Sequence, residues 1–128
     1  MARSSLAFAV LALGWIAGAE ALAQPYDPRV AAIIARVAPD APGYLVQADQ
    51  ALARRHMGLA RETLERAETS FLNARLRGER GLGGAIQAIA QARYAMDRGD
   101  VGGARGAIRP LIVASTGGAP VPLPRGPK

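Results

Sequence analysis

The chain has 128 residues, no cysteine, one histidine, and sixteen basic against ten acidic groups, for a formal net charge of +6. The missing cysteines exclude a disulfide framework and thiolate chemistry, and a single histidine cannot assemble a structural zinc site. Half of the residues are hydrophobic but only 5% are aromatic, so a core has to be packed mainly from Ala, Leu, Ile and Val.

Residues 1–23 read as an export signal. Arg3 supplies a positive start, Leu6 to Ala19 is a nearly unbroken apolar run, and Ala21-Leu22-Ala23 is an A-x-A cleavage signal that leaves Gln24 as the new N-terminus. The run of fourteen residues is shorter than the roughly 20 that a membrane span needs. An uncleaved anchor is the alternative. The Ala, Arg and Gly bias suits a GC-rich bacterial genome, so the expected destination is the periplasm or the exterior. Mass spectrometry of the periplasmic fraction should find a chain beginning at Gln24. A chain beginning at Met1 in the membrane pellet would refute the export reading.

The mature chain is long enough for one domain. Residues 24–43 hold a short first helix and a linker. Asp27 is a suitable N-cap, Pro28 suits the first helical position, and Val30, Ile33, Ile34 and Val37 form an apolar stripe. Pro39, Pro42 and Gly43 are expected to end this helix and form the linker.

Residues 44–114 are expected to form a domain of helical hairpins. A second helix runs from about Tyr44 to Arg55, and Arg55-His56-Met57-Gly58 is its turn. A third runs from about Leu59 to Arg77 with Ala60, Leu64, Ala67, Phe71 and Ala74 on one face. Its other face carries Arg61, Glu62, Glu65, Arg66 and Glu68, a solvated surface with Glu62/Arg66 as an i,i+4 pair. Gly78 to Gly84 reads as a flexible joint. It resembles no phosphate loop, because no strand precedes it and no Lys-Ser or Lys-Thr follows.

Ile86 to Leu111 reads as a second hairpin. Ile89, Ala92 and Met96 share one face, and Ala104, Ile108 and Leu111 repeat the period beyond the turn Gly99-Asp100-Val101-Gly102. Gly99 suits the left-handed residue that ends a helix, and Asp100 suits the cap of the next. Pro110 predicts a kink or an end at Arg109, with continuation of the helix through Leu111–Ala114 as the alternative. Residues 115–128 contain four Pro and three Gly, a composition expected of a disordered or polyproline-like tail.

The two hairpins echo each other at an offset of 44 residues. Leu45, Ala48, Ala51 and Leu52 correspond to Ile89, Ala92, Ala95 and Met96. Ala60, Leu64 and Ala67 correspond to Ala104, Ile108 and Leu111. Small residues twelve apart across each turn, Ala48/Ala60 and Ala92/Ala104, let antiparallel helices touch, and Leu64 and Ile108 fill the groove between them. In these residues the chain resembles the tetratricopeptide (TPR) hairpin over Leu45–Leu111. It departs from that motif in four ways. Tyr44 and Ala88 stand where Trp is usual, Gln47 and Gln91 where Leu is usual, the closing Pro is missing, and the period exceeds the usual ~34 residues. Two generic hairpins in a bundle are the open alternative. The Ala-Arg…Gly-Asp…Ala pattern also resembles, more faintly, small secreted helical proteins of the YfdX type. The expected fold is therefore all-α, with two TPR-like antiparallel hairpins in a small bundle behind a short helix.

The residues offer little chemistry. His56 lies in a turn without fellow ligands, Ser70, Ser115 and Thr116 have no nucleophile signature around them, and Asp97 and Asp100 suit the turn. No cofactor is expected. Charge is the functional hint. Arg75, Arg77 and Arg80 cluster after the long helix, and Arg93, Arg98, Arg105 and Arg109 lie along the second hairpin. Such a surface attracts an acidic protein, an anionic membrane or an envelope polymer. The scarcity of aromatic residues argues against nucleic acid. The expectation is a non-enzymatic exported module that binds a protein partner. The alternative is a basic protein associated with the membrane surface or envelope polymers.

Overall fold

The computed structural model describes residues 27–117. The export segment falls outside the described residues, as does most of the Pro- and Gly-rich tail. Five helices follow one another with no strand among the described residues: α1 (Arg29–Val37), α2 (Ala41–Ala53), α3 (Met57–Leu76), α4 (Gly83–Asp97) and α5 (Val101–Thr116). Neighbours along the chain pair as α2 with α3, α3 with α4, and α4 with α5. Helix α5 then returns to α2, so four helices close a ring, and α1 packs on α5.

The register of both hairpins explains the ring. Leu45, Ala48, Leu52, Ala60, Leu64 and Ala67 are fully buried, and so are their counterparts Ile89, Ala92, Ala104, Ile108 and Leu111. Ala51 and Ala95 also face inward, as does Met96, the counterpart of Leu52. Alanines at the helix contacts allow close approach, and the branched residues fill the remaining space to interior density. Phe71, also fully buried, is the one large aromatic group in the core; 44 residues on, its place is taken by buried Ser115, which donates to the Leu111 carbonyl at 2.6 Å.

The two hairpin turns share one backbone. Arg54 and Arg98 have φ/ψ of −92/1° and −92/2°, and His56 and Asp100 have −84/76° and −94/84°. Between them, Arg55 and Gly99 are left-handed at φ 59° and 74°. Each turn is a Schellman closure: the His56 and Asp100 amides donate to the Ala51 and Ala95 carbonyls, both at 2.8 Å. Only the second turn has the glycine the geometry favours, and only Asp100 adds a side-chain cap, accepting from the Gly103 amide at 2.8 Å. Arg55→Gly should therefore stabilise the protein by about 1 kcal/mol, since a left-handed non-glycine residue costs roughly that much. Gly99→Ala should cost about as much. Urea unfolding measures both, and a destabilised Arg55→Gly variant would contradict the shared-turn geometry.

Three sequence expectations need correcting. Pro42 and Gly43 form no linker: α2 starts at Ala41, and both lie buried in its first turn, where a proline costs no hydrogen bond. Pro110 does not end the last helix, which continues to Thr116 and a left-handed Gly117. Burial of Leu111 and Ser115 beyond the proline holds that segment helical. Ser115 and Thr116 thus belong to the helix and not to the tail. The expected flexible joint is also shorter and pinned. Gly83 and Gly84 already belong to α4, and Leu82 is buried. Arg36 pairs with Glu79 at 2.9 Å, and Ile33 lies 3.3 Å from where a Cβ on Gly81 would stand.

Candidate functional site

Interhelical ion pairs position the two hairpins against each other. Arg93 on α4 reaches Glu68 at 2.8 Å and Glu65 at 3.6 Å on α3. Arg61 on α3 meets Asp97 on α4 at 3.0 Å, and Arg105 on α5 donates from Nε to Asp49 on α2 at 2.9 Å. The hydrogen bond to Asp49, and then its charge, raise the Arg105 pKa further above its already basic value. Arg93–Glu68 and Arg105–Asp49 are half-buried and Arg61–Asp97 is exposed; an exposed pair contributes about 0–1 kcal/mol, so its main effect is on register. Asp27 is held down to about 2 by side-chain and backbone hydrogen bonds from Arg29. Its contribution at the start of α1 is present above the ordinary carboxylate range and fades as pH falls towards 2.

These contacts engage several of the seven arginines expected to form an interaction surface. Arg93 and Arg105 are engaged between helices. Arg98 lies over the Tyr94 ring at 5.1 Å and within 3.8 Å of Asp100. Arg77 donates to the Val37 carbonyl at 3.2 Å, placing a cation at the C-terminus of α1. Arg75 and Arg80 stay exposed at the end of the bundle where α3 gives way to α4, and Arg109 is exposed on α5. Eight of the nine carboxylates among the described residues are spent in ion pairs; Asp40 is the exception.

An open groove beside α2 and α3 gathers Asp40, Tyr44, Glu62, Glu65 and Arg66. Arg66 pairs with Glu62 at 2.7 Å and lies 5.8 Å from the centre of the Tyr44 ring. Ser70, also at the groove, donates to the Arg66 carbonyl at 3.1 Å, and no histidine lies on the wall to activate it. His56 sits exposed at the start of α3. No cluster of three His, Asp or Glu able to hold a metal occurs among the described residues.

The two hairpins differ on the outside. The outer side of α3 carries Glu62, Glu65 and Arg66 in its middle, with Thr69 and Asn73 beyond them. The outer positions of α4 between its ends are Gln87, Ala90, Gln91 and Tyr94, and those of α5 are Gly102, Gly106, Arg109 and Val113. Tyr94 is 63% and Val113 61% exposed. Sequence reasoning about arginines passed over this face. Its signal was there: Tyr94 and Val113 each stand two residues past a core position, Ala92 and Leu111, where helical periodicity points outward.

No helix among the described residues is long and apolar enough to cross a membrane. Comparison with protein-family models, with characterised proteins and with solved structures finds no match to this chain.

Proposed function

We propose that the protein is an exported, non-enzymatic interaction module of two TPR-like hairpins, and that it holds a protein partner against the outer face of the second hairpin. The observation that carries this reading is the contrast between the two outer faces. Surfaces that are merely solvated are rich in charge, as the middle of α3 is at Glu62, Glu65 and Arg66; interface centres are depleted in charge and enriched in tyrosine and apolar groups. The α4–α5 face has Tyr94 and Val113 projecting, with Arg109 exposed between the helix ends and Arg98 lying over the Tyr94 ring. The buried small pairs Ala48/Ala60 and Ala92/Ala104 support TPR-like helix contacts. Because α5 closes onto α2, two hairpins bury their cores in each other and need no third repeat, unlike an open solenoid.

The test uses tagged protein expressed in its own source and recovered after cross-linking. The wild type should retain a defined partner that the Tyr94→Glu/Val113→Glu variant loses with its melting temperature unchanged, since neither residue is in the core. Equal recovery by both proteins would refute this face as the contact.

A further inference from the structure

We propose that the end of the bundle bearing Arg75, Leu76 and Arg80 seats on an anionic phospholipid surface. The inference is independent of the protein partner on the α4–α5 face and leaves that face free. Leu76, at the end of α3, is 84% exposed, the highest among the large apolar side chains of the described residues. It is flanked by Arg75 and Arg80, both exposed and without a carboxylate partner among those residues. The acids nearby do not cancel this charge. Glu79 is taken by Arg36, and Asp40 lies in a groove with Arg77.

A single leucine projecting from a helix end lacks the concavity a peptide needs. It suits an interface where one apolar side chain enters the acyl boundary while guanidiniums meet phosphates. Weak insertion and weak electrostatic attraction are each marginal, and together they give measurable, salt-sensitive binding.

Co-sedimentation of the purified protein with phosphatidylcholine vesicles, with and without phosphatidylglycerol, tests the proposal. Binding should require phosphatidylglycerol and fall as salt rises. Arg75→Gln/Arg80→Gln should weaken it about 25-fold, at roughly fivefold per arginine near an anionic surface. Leu76→Ser should weaken it about tenfold through lost apolar burial. Arg54→Gln/Arg55→Gln removes the same charge from the opposite end and should leave binding at the wild-type level. All these positions are exposed, and circular dichroism checks that each variant remains helical. Three results would overturn the proposal: equal binding to neutral vesicles, equal weakening by the Arg54/Arg55 variant, or no vesicle binding alongside Arg75- and Arg80-dependent binding to polyglutamate. The last would assign this end to an acidic protein.

Discussion

Leu64→Ala and Ile108→Ala should each destabilise the protein by about 2–5 kcal/mol, the usual cost of removing a fully buried branched side chain. Both residues have no exposed surface and occupy equivalent places, one on α3 and one on α5, 44 residues apart. Each fills the space left by an alanine contact four residues earlier, Ala60 or Ala104. Neighbouring alanines cannot repack into the cavity, because they have no side-chain torsion to adjust. A domain of this size loses about 4–8 °C of melting temperature per kcal/mol, so each variant should melt at least about 8 °C lower. The two losses should be similar, since the two sites are the same site twice. Thermal unfolding followed by circular dichroism measures them; a shift of only a degree or two in either variant would show that the hairpin register is wrong.

Pro110→Ala should act in the opposite direction, raising stability by about 2 kcal/mol. A proline inside a helix removes one backbone hydrogen bond and crowds the carbonyl four residues back, at a cost near 3 kcal/mol. Here that carbonyl belongs to Gly106, which is exposed with nothing within 4 Å of where its Cβ would stand. Water can serve the carbonyl there, which reduces the cost without removing it. Alanine gives back the amide and the better propensity. Against this, proline's stiffening of the unfolded chain is lost, worth about 0.4–1 kcal/mol. Denaturant unfolding would test the balance. A destabilised variant would mean that α5 needs a bend at Pro110 to lie against both α2 and α1.

The core of this bundle was legible in the sequence because local pattern decides it. The order Leu45, Ala48, Ala51, Leu52 and its echo 44 residues on specify which faces meet, and all of these residues are buried. Boundaries were less legible where two rules compete. Pro42 reads as a breaker, yet in a first turn it is harmless. Pro110 reads as a stop, yet the burial of Leu111 and Ser115 outweighs it. The joint looked flexible from its glycines, because its restraints come from α1, roughly forty residues earlier. The arginines were the least legible. Asp49 and Arg105 are 56 positions apart, and Arg77 finds its acceptor on Val37, 40 positions away. Counting basic residues could not show which ones the fold would use. The sequence does place Tyr94 and Val113, two large side chains, at positions where the helical period points outward.

Site-specific photo-cross-linking in cells of the source tests the central claim most directly. A photoreactive phenylalanine analogue would replace Tyr94, Val113 or, as the control, Glu62 on the charged face of α3. Positions 94 and 113 should give the same protein adduct, absent from position 62. Adducts from position 62 with none from 94 and 113 would contradict the claim, and would move the interface to the charged side of the first hairpin.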